Sequence, residues 1–291
     1  MPRSLDELVD LLDLETIEDN LFRGRQPETA LQRVFGGQVA GQALMAASRT
    51  IDPERIVHSL HAYFLRPGDT RVPIVYDVER LRDGGSFSTR RVVARQHGQT
   101  IFFMSASFHT PEPGFDHQDA APEDVPKPED CPTLAEVMER ATGRSSDAWA
   151  AEWAALDVRY VGDSLRGDES LRDPAHPARA RVWIRAAGEL SDETAQHSCV
   201  LAYASDLTLL GATLVPHRTH IGAGDVQTAS LDHAMWFHRP FRADRWLLYD
   251  QVSPSASDAR GLATGNLFDL DGRLVASVVQ EGLIRQLRPK S

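Results

Sequence analysis

The chain has 291 residues and a formal net charge of −11, which suits two domains of similar size and disfavours binding to nucleic acid or anionic membranes. Two cysteines, Cys131 and Cys199, are too few for a disulfide framework and favour a reducing compartment. The N-terminus lacks a signal-peptide pattern and no apolar run reaches the roughly eighteen residues of a membrane span, so we expect a cytoplasmic protein without integral membrane contact.

The first half of the chain is predicted to contain one buried helix and several antiparallel strands. In the segment 34–48, small and apolar residues cover nearly every side of the helix, which is typical of a helix buried all round. The tripeptide His97-Gly98-Gln99 predicts a tight turn between the last two strands. The predicted strands cover 16–23, 57–66, 71–82, 88–96 and 100–109.

The composition changes in the middle of the chain. Prolines recur between 111 and 132 among many acidic residues, and two helical patches follow at 133–141 and 146–156. We therefore predict an N-terminal domain over 1–115, a linker with short helices over 116–156, and a C-terminal domain over 157–291.

The second half repeats the order of the first. A second apolar helix is predicted at 199–215, among strands at 157–161, 180–185, 228–239, 246–252, 259–267 and 274–283. The strand that ends in Phe-His-Arg-Pro at 237–240 matches Phe-Leu-Arg-Pro at 64–67, and the turn 271–273 matches 97–99. This period is too long for a solenoid. The repeat predicts an α+β fold of two tandem hotdog domains, each with a buried central helix wrapped by a curved antiparallel sheet.

Three polar residues interrupt segments that otherwise look like core. Asp206 lies within the second apolar helix, Ser230 on the strand 228–239, and Gln280 near the end of the last strand. A buried ionised carboxylate is costly unless its surroundings donate hydrogen bonds, which a hydroxyl and a carboxamide can do. We expect the three side chains to meet. The alternatives are that Asp206 faces solvent or caps a break in the helix at Ser205, and that the other two are ordinary strand residues.

The strand 228–239 also contains rival acids and bases. Strict alternation places Ser230, Asp232 and His238 on one face and His233 on the other, so Ser230, Asp232 and His233 cannot form a local catalytic triad. The sequence has no Gly-x-Ser-x-Gly nucleophile motif. Asp232, His233 and His238 are second choices as general acid or base.

The sequence gives little support for a metal or a cofactor. His58 and His61, like His217 and His220, are three residues apart but lack the further ligands of a known metal motif. The segment 222–224 fails the dinucleotide-binding pattern at its third glycine. We predict neither a metal nor a cofactor.

Four motifs together resemble the acyl-CoA thioesterase II family, the TesB-type double hotdogs. They are Phe-Gly-Gly-Gln-Val at 35–39, Ser-Leu-Asp-His-Ala-Met-Trp-Phe-His-Arg-Pro-Phe at 230–241, Ser-Ala-Ser-Asp-Ala-Arg-Gly at 255–261 and Val-Gln-Glu-Gly at 279–282. The resemblance spans about 14–285. It implies hydrolysis of acyl-CoA to fatty acid and CoA, a role in fatty acid metabolism, and a homo-oligomer. It also implies that Asp206, Ser230 and Gln280 position the hydrolytic water, which attacks directly.

Two other functions remain open at this level. Hotdog hydratases and dehydratases use an aspartate followed about five residues later by a histidine, and Gly211 occupies that place after Asp206. A non-catalytic acyl-CoA carrier would use the same pocket. In each case the ligand is an acyl-CoA, which is anionic and needs a local basic patch on this acidic protein. The candidates near predicted strand ends are Arg66, Arg90, Arg91, Arg239 and Arg260.

Overall fold

The first half folds as one central helix and a set of antiparallel strands. The computed structural model describes residues 1–287 except 144, 146, 166–170 and 172–177. The elements of this half are α1 (Leu5–Leu12), β1 (Glu15–Glu18), β2 (Leu21–Gly24), α2 (Gly36–Ser48), β3 (Ile56–Phe64), β4 (Ile74–Asp83), β5 (Phe87–Gln96) and β6 (Gln99–His109).

The second half repeats this order after a connecting segment with short helices. The connecting segment contains a 3-10 turn at Pro128–Asp130, α3 (Leu134–Thr142) and α4 (Asp147–Glu152). The second half then contains β7 (Leu156–Asp163), β8 (Arg179–Ala186), α5 (Thr194–Ser205), a 3-10 helix at Leu209–His217, β9 (Val226–Ser230), β10 (Asp232–Phe237), β11 (Leu247–Ser257), β12 (Arg260–Phe268) and β13 (Leu274–Gln286).

The two halves share one antiparallel sheet. Its thirteen strands run in the order β1-β2-β4-β5-β6-β3-β10-β13-β12-β11-β8-β7, and β9 pairs with β13. The halves join where β3 pairs with β10, with Leu60 opposite Met235. This arrangement confirms the predicted α+β double hotdog, while the exact domain limits 1–115, 116–156 and 157–291 stay a prediction.

The central helices α2 and α5 lie against each other under this sheet. Most residues of both helices are buried, as the all-round apolar pattern predicted. Their close approach depends on glycine, because a Cβ atom on Gly37 would overlap the carbonyl oxygen of Tyr203 on α5. The stretch Thr194–His217 is long and apolar enough to cross a membrane, but most of it is buried inside the fold.

Three sequence-based expectations about local structure were wrong. The predicted helix 199–215 does not run through Asp206, because α5 ends at Ser205 and a 3-10 helix begins at Leu209. The predicted strand 228–239 is broken at Leu231 into β9 and β10. The predicted strand 16–23 is a hairpin of β1 and β2 turning at Asn20, which has a positive φ of 63°. Apolar periodicity does not register such breaks, because it records which side is buried and not where hydrogen bonding stops.

Replacing Gly37 by alanine is expected to destabilise the fold although alanine is the better helix former. The helix propensity of alanine would favour the variant by up to about 1 kcal/mol, but the overlap with a backbone oxygen of α5 cannot be relieved by rotating a side chain. We expect a net loss of at least about 2 kcal/mol in the free energy of unfolding, measured by urea denaturation. Gly114→Ala is the control, since a Cβ atom there meets no atom within 4 Å; equal stability of the two variants would contradict the packing argument.

Candidate active site

The site is built around the carboxylate of Asp206, which lies at the C-terminal end of α5. Asp206 is the C-cap residue of that helix and is partly buried. Its carboxylate points at the N-terminus of α2 in the other half, where the backbone N–H of Gly37 donates a hydrogen bond to it. A Cβ atom on Gly36 would lie 2.5 Å from Asp206 Oδ2, so glycine is required for this approach. The positive end of a helix dipole therefore faces the carboxylate.

Two further side chains donate to the same carboxylate. Gln280 on β13 is fully buried, and its Nε2 donates to Asp206 Oδ1 at 2.5 Å. Ser230 at the end of β9 donates through its hydroxyl to the same oxygen at 3.2 Å. The structure thus brings together the three residues predicted to meet. Gln280 Oε1 is buried and has no protein partner among the described residues.

A shift of strand register turns Ser230 toward the helices. Opposite β13, Ser230 of β9 pairs with Gly282, whereas Ala234 of β10 pairs with Val279. The pairing has therefore moved by one residue at Leu231, and a one-residue shift transfers a side chain to the other face of a sheet. The expectation that Ser230 shares a face with Asp232 and His238 was wrong, because it assumed strict alternation through Leu231, where the register shifts.

Asp232 occupies the position where the register changes. Its Oδ1 accepts the backbone N–H of Glu281 at 2.7 Å, and the N–H of Leu231 donates to the carbonyl oxygen of Glu281 at 2.9 Å. Because Glu281 follows Gln280 directly, these bonds fix the strand segment that presents the carboxamide. Asp232 is thus a structural residue beside the site, and alternation alone did not reveal this.

The two rival histidines are engaged elsewhere. His233 is fully buried, its Nε2 lies 2.8 Å from the hydroxyl of Ser205, and burial lowers its pKa to about 4. His238 lies on the outer side of the sheet, where its Nε2 is 2.9 Å from the hydroxyl of Ser277. Neither histidine bonds to Asp206. Within the described ranges, no group of three or more His, Cys, Asp or Glu side chains is arranged to hold a metal ion.

Burial sets the electrostatics of the carboxylate. It raises the pKa of Asp206 from 3.8 to about 6, even though the hydrogen bonds from Gln280, Ser230 and the Gly37 N–H lower it. A carboxylate offers about four acceptor positions, so three donors leave room for a water molecule. Such a group is ionised near neutral pH and is still a stronger base than a surface aspartate, which suits general-base chemistry.

A cavity of about 300 Å³ opens beside the hydroxyl of Ser230. Its lining includes Gly36, Arg33 and Arg66. Of the arginines considered from the sequence, Arg66 therefore lies at the site. Arg90 does not, because it is buried and paired with Asp83 at 2.7 Å.

Comparison with known proteins identifies the family. The model of the acyl-CoA thioesterase family matches residues 151–283, and the model of the acyl-CoA thioesterase N-terminal domain matches residues 25–109. Acyl-CoA thioesterase 2 of Haemophilus influenzae is 41% identical, over 97% of this chain and 98% of its own. Human acyl-coenzyme A thioesterase 8 is 40% identical, over 94% of this chain and 88% of its own. The chain belongs to the acyl-CoA thioesterase family. The crystal structure of the acyl-CoA thioesterase II TesB2 from Mycobacterium marinum superimposes with a TM-score of 0.80 at 48% identity, covering 97% of this chain and 99% of that one.

In the part of this thioesterase-family chain that the structure describes, only the second half has such a constellation, although the fold is duplicated. The C-cap of α2 is Arg49, where α5 has Asp206. Alignment through the glycine turns sets Ala106 against Gln280, and alignment through the Phe-x-Arg-Pro ends sets Val57 against Ser230. The first half contributes the N-terminus of α2 to the site and no acid, hydroxyl or amide at the equivalent positions.

Replacing Asp206 by asparagine is expected to stabilise the protein more at pH 8 than at pH 4.5. The folded pKa of about 6 lies above the unfolded value of 3.8, so between these values the folded chain binds more protons and wild-type stability falls as pH rises. Asparagine removes this dependence, which amounts to a difference on the order of 2 kcal/mol between the two conditions.

Urea denaturation at both pH values measures this difference. The exposed Asp258→Asn variant controls for the loss of one charge. If Asp206→Asn changed the free energy of unfolding equally at pH 4.5 and pH 8, Asp206 would not have the raised pKa described above.

Proposed function

We propose that this chain hydrolyses acyl-CoA thioesters to a carboxylic acid and free CoA, with Asp206, Ser230 and Gln280 positioning a water molecule that attacks directly. The observation that supports this most is the convergence of three hydrogen-bond donors on a buried carboxylate at the meeting point of two helix ends. Membership of the acyl-CoA thioesterase family supports the substrate class.

In this proposal the water bridges two acceptors. It donates one hydrogen bond to Asp206 and the other to Gln280 Oε1, the buried acceptor without a protein partner among the described residues. Its lone pair then faces the thioester carbon. Ser230 and the Nε2 of Gln280 hold the carboxylate in place, and Asp206 takes the proton as the oxygen–carbon bond forms.

The first turn of α2 is the proposed oxyanion site. The tetrahedral intermediate carries a negative oxygen that needs N–H donors, and helix N-termini supply them. Phe35, the N-cap of α2, gives no side-chain cap, so the first-turn N–H groups other than that of Gly37, which donates to Asp206, are proposed to serve the oxyanion. Collapse of the intermediate breaks the carbon–sulfur bond, and the departing thiolate of CoA recovers the proton from Asp206.

The proposal extends to the setting predicted from the sequence, a cytoplasmic homo-oligomer without a cofactor that acts in fatty acid metabolism. A carrier of acyl-CoA with the same pocket is the main competing function. It would tolerate loss of the carboxylate charge, whereas a hydrolase would not.

Substitution of the three residues is expected to reduce kcat more than binding. Asp206→Asn should lower kcat by about 10²- to 10⁴-fold because it removes the general base. Ser230→Ala and Gln280→Ala should lower it less, and the double variant should lose less than the product of the single losses, because both residues donate to the same carboxylate oxygen. Release of CoA thiol from a series of acyl-CoA esters is the readout.

The matched control for this series is Ser277→Ala. Ser277 lies on β13 like Gln280, but its hydroxyl donates to Asn266 at 2.7 Å, away from the carboxylate. We expect this variant to keep near wild-type turnover. Binding of acyl-CoA by both wild type and Asp206→Asn, with CoA released by neither, would favour the carrier, whereas wild-type turnover retained in Asp206→Asn would exclude Asp206 as the base.

The pH profile of kcat/KM is expected to fall on the acid side with a midpoint near 6. Only the ionised carboxylate can accept the proton, and burial raises the pKa of Asp206 to about 6. Rates measured with butyryl-CoA from pH 4.5 to 8.5 should decrease about tenfold for each pH unit well below the midpoint. A flat profile down to pH 4.5 would exclude Asp206 as the base.

A further inference from the structure

A second cavity, of about 250 Å³, lies between the connecting segment and the sheet of the second half. Helices α3 and α4 form one wall, and β7, β8, β11, the 3-10 helix Leu209–His217 and the segment 218–221, with Arg218 and His220, contribute to the rest. The lining is mainly apolar. Its larger side chains are Leu134, Val137, Met138, Trp149, Trp153 and Val182.

The inner end of this cavity borders the site described above. Leu207 and Thr208, which follow Asp206 directly, are part of its wall. Trp153, also in the wall, packs edge-on against Phe35, with ring centroids 4.9 Å apart. Because Phe35 is the N-cap of α2 and precedes Gly36, the cavity begins beside both the carboxylate and the helix N-terminus.

One buried polar side chain marks this inner end. Gln251 on β11 is fully buried and donates from Nε2 to the hydroxyl of Thr208 at 2.6 Å. Its Oε1 is buried without a partner among the described residues, and Gln251 is part of the cavity lining. A water molecule or a ligand donor in the cavity would satisfy it, as expected where a solvated reaction centre meets an apolar pocket.

The cavity on the other side of the site, beside Ser230, also has apolar residues such as Phe64 and Phe102 in its lining, but it adds the two exposed cations Arg33 and Arg66. An acyl-CoA has an anionic, phosphate-bearing end and an apolar end. The cavity under α3 and α4 suits the apolar end, and the two arginines of the other cavity suit the anionic end. Gly36 lines the cavity with the arginines, and Leu207, next to Asp206, lines the other.

We propose that the cavity under α3 and α4 is an acyl pocket, and that these two helices form the wall that limits the length of the acyl chain. This inference rests on the proposed function, since it assigns one end of the acyl-CoA to a place beside the reacting water. The ligand is an unbranched apolar acyl chain. An apolar cavity of roughly 150 Å³ is large enough for benzene, so the acyl pocket has room for more than a short acyl group.

Gly211 allows a direct test because it lines the acyl pocket without filling it. A Cβ atom on Gly211 meets only Ile221 Cδ1, at 3.9 Å, so a larger side chain extends into open space without a backbone clash. Gly211→Leu should lower kcat/KM for dodecanoyl-CoA at least tenfold and leave butyryl-CoA within about twofold, since each methylene in an apolar pocket is worth tenfold or more. Gly114→Leu is the control, at an exposed position with no atom within 4 Å.

A substitution in α3 should act in the opposite direction. Met138→Ala removes side-chain volume from the wall formed by α3 and α4, so the ratio of kcat/KM for palmitoyl-CoA to that for butyryl-CoA should rise several-fold. This variant does not enlarge any side chain. It therefore tests the acyl pocket even if Gly211→Leu fails to fold.

Binding of inert thioethers separates this inference from the proposed function. Dodecyl-CoA and ethyl-CoA cannot be hydrolysed, and calorimetry gives their affinities whether or not the protein is an enzyme. If the acyl pocket binds the alkyl chain, Gly211→Leu should lower the affinity for dodecyl-CoA at least tenfold and the affinity for ethyl-CoA less than twofold. If the affinity fell equally for both ligands, or for neither, the assignment of the acyl pocket would be wrong even in an active thioesterase. A wild-type protein that releases no CoA would instead overturn the proposed function.

Discussion

The contact between the carboxylate of Asp206 and the N-terminus of α2 is the constraint on which the rest of the structure depends. It requires α2 and α5 to approach until side chains on Gly36 and Gly37 would have no space. The two helices belong to different halves of the chain, so one half alone would have either the acid or the helix N-terminus. A single shared sheet, joined through β3 and β10, sets their relative position. The geometry of the candidate site therefore depends directly on the packing of the two halves.

The strand opposite the carboxylate is adapted to this contact by a local irregularity. A regular strand would present either the hydroxyl of Ser230 or the core side chains His233 and Met235 to the helices, because these positions differ in parity. The register shift at Leu231 permits both, and Asp232 supplies the hydrogen bond that the shift would otherwise leave unmade. Asp232, which the sequence offered as a possible acid or base on this strand, thus stabilises the backbone pairing.

Asp206 also illustrates a conflict between stability and function. Its hydrogen bonds favour the ionised form, yet burial outweighs them and raises the pKa to about 6. The same burial that weakens the folded state at neutral pH makes the carboxylate a better base. Among the described residues, only one half of the duplicated fold has this buried-carboxylate arrangement. Arg49 ends the equivalent helix of the other half, where it bonds to the carbonyl oxygen of Leu14.

The sequence by itself determined the repeated order of helix and strands and the buried character of both central helices, and it predicted that Asp206, Ser230 and Gln280 would meet, because apolar periodicity and isolated polar residues in apolar segments are local signals. Only the tertiary structure decided where α5 stops, how Ser230 reaches the helix side, and that Gly37 donates to Asp206. A helix end, a one-residue register shift and a contact between residues 37 and 206 depend on backbone hydrogen bonding and packing across the two halves, which alternation and composition do not encode.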